Sequence, residues 1–303
     1  MPRTCSNVTM GRGVLALAVA TACLLGATPV GAQDRVALGT PPAPGQSQRV
    51  RVTQTSHMTM APQGTPPPGF PADGLQVEST NAIVVRHDVG LPDAAGRVRY
   101  DVTYESMSQS VRMQGKEIPL PASPAGDLTG KTFTVWVDAA NQIADVTVPE
   151  GLPLTSAQAK QMLTPSFSAV PRQDMAIGDI ATRPLSLTIP MPGPAGGGGA
   201  TMTGTTRTTL LGVDGTGTDR IARLGVAFDG ELNVAATAET RPGLVMSTKG
   251  KGAMQVNLLS GFVVASQSDH TIDGTMRLPG AADGAGSLTM RGTVSVTTER
   301  LPQ

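Results

Sequence analysis

The chain has almost no cysteine. Its two, Cys5 and Cys23, both precede Leu24. Without that N-terminal stretch there is no disulfide, no thiolate nucleophile and no cysteine metal ligand. The rest must be held by an ordinary apolar core. Aromatic residues are scarce too, with one Trp, two Tyr and five Phe in 303 residues. That leaves few of the aromatic platforms on which carbohydrate sites lean. Core packing is left to Val, Leu, Ile, Ala and Met. Three histidines, His57, His87 and His270, stand far apart, none with a histidine partner at metal-ligand spacing. Also missing are a Gly-x-Ser-x-Gly elbow, a His-Glu-x-x-His pair and a phosphate-cradling glycine loop. No cofactor is implied.

What is present begins with a signal. Arg3 and Arg12 precede an apolar run from Val14 to Leu25, and small residues end at Val30-Gly31-Ala32. This is the layout of a secretory signal peptide cleaved after Ala32. The run is short for a bilayer span, which needs roughly 20 apolar residues. An alternative processing site is Ala20-Thr21-Ala22-Cys23, which would lipidate Cys23 and anchor the protein. Either way the chain is expected to be exported, to the periplasm or the outer-membrane periphery, with no transmembrane span after cleavage. Losing Arg3 and Arg12 takes 23 basic residues to 21 against 23 acidic ones, a net charge of −2. A balance of that sign argues against nucleic acid as a partner.

Alternation with period two dominates the remainder. Residues 33–47 are small, polar and proline-bearing, and read as a disordered tether. Val50, Val52, Met58 and Met60 share one parity, so a half-buried strand is expected there; Pro62 to Pro71 reads as a loop. A second strand is expected within Val77 to His87. Val98, Tyr100, Val102 and Tyr104 alternate strictly, whereas Met107, Val111 and Met113 take the opposite parity. A switch inside one long strand predicts a β-bulge between Glu105 and Met107. Thr132 to Val148 reads as a hairpin. Residues 154–163 read as the one short helix, capped by Thr155 or Ser156 and stopped by Pro165. Residues 166–200 form a Pro/Gly-rich connection. Strands are then expected at 201–213, 219–228, 231–238, 244–258, 261–278 and 286–298. Asp-Gly pairs at 214–215, 229–230, 273–274 and 283–284 read as tight turns.

The expected fold is mostly β: long curved antiparallel sheets forming an open barrel or sandwich. Its halves, 48–165 and 201–300, are similar in layout, since Thr132 to Val148 and Gly252 to Ser268 are both hairpins, so a repeat is one reading of the sequence. The methionines are the oddity. Met58, Met60, Met107, Met113, Met202, Met246, Met254, Met276 and Met290 all fall in expected strands. Met adapts to irregular apolar shapes. Such residues either fill a core poor in aromatics or line a concavity. In the second case Met58, Met60, Val102, Tyr104, Met113, Met254, Met276 and Met290 are the expected ligand-lining residues.

Chemistry beyond binding finds little support. His57, Met58 and Met60 have copper-compatible donors, but on a strand His57 points away from the two methionines. A hydrolase would need two or more of Glu105, Asp138, His57, His87 and His270 to converge in one pocket. The chain therefore reads as a non-enzyme that holds a lipid or other apolar ligand in a β concavity. The alternative is a surface or assembly protein with an envelope protein partner at an exposed sheet edge.

This layout resembles the periplasmic lipoprotein-carrier type of fold. The shared features are the signal through Ala32, the bulged strand 97–113, the hairpins 131–148 and 252–268 and the helix 154–163. It also resembles uncharacterised exported bacterial β families with a Gly-Asp turn before the second half, here Gly178-Asp179. The resemblance implies long curved strands around an apolar concavity crossed by a helix. It is architectural and carries over no functional residue.

Overall fold

A computed structural model describes residues 35–64, 70–71, 73–119, 126–189, 200–234, 243–277 and 287–302. The signal at 1–32, the glycine tract within 190–199 and the pair Asp283-Gly284 lie outside the described residues.

From Val36 onward the chain is built almost wholly of strands. They are β1 (Val36–Ala37), β2 (Ser47–Gln63), β3 (Leu75–Pro92), β4 (Val98–Met113), β5 (Lys116–Glu117), β6 (Thr132–Val137) and β7 (Ile143–Thr147). Helix α1 (Ser156–Ser168) follows. Then come β8 (Asp174–Met175), β9 (Ile180–Ile189), β10 (Ala200–Asp214), β11 (Ile221–Val234), β12 (Gly243–Asn257), β13 (Val263–Arg277) and β14 (Ser287–Leu301). Twelve of the strands form one antiparallel sheet in the order β7-β6-β4-β3-β2-β14-β13-β12-β11-β10-β9, with β5 beside β4. The sheet is open: β7 and β9 are its ends. β2 and β14, far apart in sequence, pair along their whole length in its middle.

Period-two alternation explains why one face is buried. Directly opposed residues share a face. Val102 stands opposite Phe133 and His87, Val85 opposite Val50, and Leu224 opposite Leu210 and Met254. The opposite face carries Arg49, Arg51, His57 and Thr59 on β2 and Lys249 and Lys251 on β12. A β-barrel that meets lipid with its outside needs an apolar outer band; this outer face is polar.

The bulge in β4 falls where the parity switch placed it. Tyr104 pairs with Val85 and Ser106 with Val84, so Glu105 is the extra residue. Its insertion returns Met107, Val111 and Met113 to the face of Tyr100, Val102 and Tyr104. The 131–148 hairpin, the Thr155 cap and the Gly178-Asp179 turn are also found. Thr155 accepts from the Gln158 backbone N–H while the Gln158 side chain accepts from the Thr155 N–H.

Four expectations are corrected. Residues 36–42 are no tether. Val36 and Leu38 are buried against Met175, Leu210, Leu224 and Val256, and β1 pairs with β8. Two apolar side chains with a hydrophobic surface to cover outweigh the flanking prolines. Helix α1 runs past Pro165 to Ser168. A proline this near the end interrupts little of the ladder, and Phe167 beyond it packs edge-on against Tyr100 at 5.0 Å. Asp229-Gly230 and Asp273-Gly274 are not turns. The first lies inside the single strand β11, which replaces the two strands expected at 219–238, and the second lies inside β13. These glycines serve close approach. A Cβ on Gly230 would stand 2.6 Å from the Phe228 ring, and one on Gly274 2.7 Å from Met246 Cγ. Finally, β2 extends through Pro62 to Gln63, so the loop after it begins later than expected.

The core has two parts. One gathers Val50, Val85, Val102, Tyr104, Phe133, Val135, Val137 and Ile143 from β2–β7 with Ala159 and Leu163 of α1. The other packs Val36, Leu38, Val170 and Met175 onto Leu210, Ala222, Leu224 and Val256. Between them the segments 39–42 and 166–172 cross the apolar face.

Candidate functional site

Where these crossing segments meet the sheet they leave a cavity of about 320 Å³. Its floor comes from six adjacent strands. β4 supplies Tyr100, Val102 and Tyr104; β3 supplies Val85 and His87; β2 supplies Gln48, Val50 and Val52. Thr298 of β14, Val263 and Ser266 of β13 and Met254 of β12 complete it. At about 4.8 Å per strand, β4 and β12 of a flat sheet would lie roughly 24 Å apart. Both can touch so small a cavity only because the sheet wraps around it. Leu163 and Phe167 of α1, Val170 and Arg172 beyond it, and Gly39, Thr40 and Pro42 form the roof.

The roof segments fit tightly. Gly39 and Gly261 both have φ near +70° (68° and 69°), and a Cβ on Gly39 would stand 2.6 Å from Arg172 Cγ. A Cβ on Gly261 would strike the Thr40 carbonyl oxygen. Glycine lets the 260s loop and the 39–42 segment close over the cavity.

The lining is mainly apolar, with a few polar groups. Gln48 is buried and donates from Nε2 to the Val263 carbonyl at 2.6 Å. Arg172 donates from Nη1 to the carbonyls of Asp138 (3.1 Å) and Ala139 (3.0 Å). Its Nε is buried without a partner. Burial, only partly offset by Asp88, pushes the His87 imidazole down to about 4, so it is neutral at pH 7. Burial likewise pushes the Tyr100 and Tyr104 hydroxyls up to about 12. Both stay protonated and able to donate. Among the described residues no carboxylate lines the cavity.

The sequence-expected lining residues all lie on this one face, though not in one place. Val102, Tyr104 and Met254 line the cavity. Met58, Met60, Met113, Met276 and Met290 sit further along the strands, outside it. There Met60 opposes Met290, Met58 opposes Val77, which opposes Met113, and Met276 opposes Leu288. Met58, Met60, Met113 and Met276 are only half-buried. Met107, Met202 and Met246 also occupy this face. Between them and the cavity this face carries Gln54, Asn81 and Gln109 in one row and Ser56 and Ser79 in the next, so the methionines form a second apolar patch separated from the cavity by polar side chains.

Sequence reasoning missed Tyr100, Phe167 and Arg172, and named His87 only as an acid–base candidate. Tyr100 carried a signal, since it shares parity with Val102 and Tyr104. Arg172 carried none.

The five acid–base candidates are dispersed. His87 is in the cavity, while His57 lies on the outer face 3.6 Å from Glu78. Glu105 is paired with Arg49 at 2.8 Å. Asp138 caps the β6–β7 turn by accepting from the Ala140 and Gln142 N–H groups. His270 packs against Phe228. Among the described residues no group of three His, Cys, Asp or Glu side chains could hold a metal ion, and no helix is long and apolar enough to cross a membrane.

No protein-family model and no curated protein sequence matches the chain. Among solved structures it is similar to a lipovitellin chain, with TM-score 0.44 and 10% identity over 86% of this chain. It spans only 25% of the lipovitellin chain. An exported protein with a YmcC-like fold from Bacteroides fragilis NCTC 9343 gives TM-score 0.23 and 11% identity, covering 88% of this chain and 100% of that one. OccK9 (OpdG) of Pseudomonas aeruginosa gives TM-score 0.22 and 6% identity over 84% of this chain and 99% of that one.

Proposed function

We propose that this is a non-enzymatic protein of the cell envelope that holds one apolar chain, of the acyl type, against the inner face of its sheet. The observation that carries the reading is the cavity between the two cores, walled by Val50, Val52, Val85, Val102, Leu163, Phe167 and Met254. Sites for small apolar ligands are concave and largely apolar, with a few placed polar groups. At about 30 Å³ for each water-sized group, the space accommodates a chain of about ten such groups. The envelope location rests on the N-terminal signal expected from Arg3 to Ala32.

The test is native mass spectrometry of protein purified from its own envelope fraction without detergent, followed by organic extraction. One acyl-chain lipid per protein is the expected result. Protein that is repeatedly lipid-free would speak against the reading.

A further inference from the structure

The polar part of the cavity wall says what kind of head such a chain carries. Among the described residues Arg172 is the only lining residue with a formal charge at neutral pH; no acidic residue lines the cavity, and the Asp138 carboxylate outside it answers that charge only from a distance, without a hydrogen bond to the guanidinium. Its Nη1 is committed to two backbone carbonyls, which fixes the guanidinium in place. Its buried Nε–H has no acceptor, and Nη2 makes no hydrogen bond to a described residue. A buried donor left unpaired is destabilising, so an orphan here points to an acceptor that arrives with a ligand. Tyr100 is beside the guanidinium closely enough for the two to influence each other's protonation. The hydroxyls of Tyr100 and Tyr104 and the His87 ring nitrogens also lack hydrogen-bond partners among the described residues. All four side chains line the same space.

Resting on the apolar-chain reading, we infer that the ligand is a single-chain amphiphile with an anionic head, gripped by Arg172 and Tyr100. Its chain lies over Val50, Val52 and Met254. A guanidinium held with free N–H groups suits a carboxylate or phosphate, and charge-assisted hydrogen bonds are about twice as strong as neutral ones. A neutral His87 and two protonated phenols add donors without adding charge. An uncharged head of equal chain length would bring no negative charge to the guanidinium and its unpaired Nε–H.

The experiment is calorimetric titration of the purified, delipidated protein with decanoate, decyl phosphate and 1-decanol. Decanoate or decyl phosphate is expected to bind about tenfold or more tighter than 1-decanol, and the better of the two identifies the head. Arg172→Gln should erase that preference while keeping 1-decanol affinity; Arg172→Lys, which keeps the charge, should retain part of it. If the glutamine variant does not fold, the wild-type ranking of anion against alcohol decides by itself. Equal affinity for 1-decanol and both anions overturns this inference and leaves the apolar-chain reading standing. No binding of any of the three overturns both.

Discussion

Replacing Phe133 with alanine should lower the unfolding free energy by about 3–5 kcal/mol, the usual cost of emptying a fully buried aromatic site. Phe133 is 0% exposed and the largest fully buried side chain among the described residues. It sits on β6 opposite Val102 of β4, and its ring meets the edge of Tyr104 at 5.8 Å between centroids. Val102 and Tyr104 belong to β4, which is paired on both sides by β3 and β6, so they are held in place and cannot move in to fill the void. The cost is large against the total stability of about 5–15 kcal/mol typical of domains. Urea denaturation measures it, as a lower midpoint at unchanged slope. Leu259→Ala is the control. Leu259 is 58% exposed and its loss should change stability by less than about 0.5 kcal/mol. A Phe133→Ala loss below about 1 kcal/mol would show that the core is not packed as described.

Acid should weaken the fold through His87. Burial holds its imidazole near 4, against an ordinary value of 6.5 in the unfolded chain. Between these values the unfolded chain binds the proton and the folded one resists it. Stability therefore rises with pH across this window. The contribution is complete above about 6.5, falls as the pH drops, and is gone below about 4. At about 1.4 kcal/mol for each pH unit the loss would approach 3 kcal/mol; solvent reaching the half-buried ring through the cavity trims that to about 2. Carboxylates titrate in the same range, so the readout is a difference. The wild-type midpoint should fall between pH 7 and pH 4.5 by more than that of His87→Leu. Parallel curves for the two proteins would place His87 in water rather than in the cavity wall.

Much of the sheet was legible because side-chain alternation maps directly onto its two faces. Val98 to Tyr104 and then Met107 to Met113 showed a strand and its bulge. The same rule put the methionines of β2, β4, β12, β13 and β14 on the inner face, where cross-strand pairing places Met60 beside Met290. Short-range chemistry was readable at Thr155, one of the two cap candidates, while the reciprocal bond from Gln158 was not. The misreadings arose where a distant surface decides a local conformation. Val36 and Leu38 look like part of a tether until Leu210 and Leu224 are there to be covered. Pro165 looks like a stop until Phe167 finds Tyr100. Asp229-Gly230 looks like a turn until Phe228 occupies the space a side chain would need. The cavity itself was illegible beyond Val102, Tyr104 and Met254. It depends on how strongly the sheet coils and on what crosses it, and Arg172 sits in a loop with no periodicity to mark it.

The central claim is that the space between the two cores receives an apolar chain. The most direct measurement is titration of the delipidated protein with N-phenyl-1-naphthylamine, followed by fluorescence, for wild type and Ser266→Trp. Ser266 stands on β13 between Met254 and Thr298 in the cavity floor, so an indole there takes up the chain's room. Overfilling costs about 1–3 kcal/mol of stability, small enough for the variant to stay folded. Saturable one-site binding by the wild type, weakened about tenfold or more in Ser266→Trp, is the expected result. Equal affinity in the two folded proteins, or no saturable binding by the wild type, would contradict it.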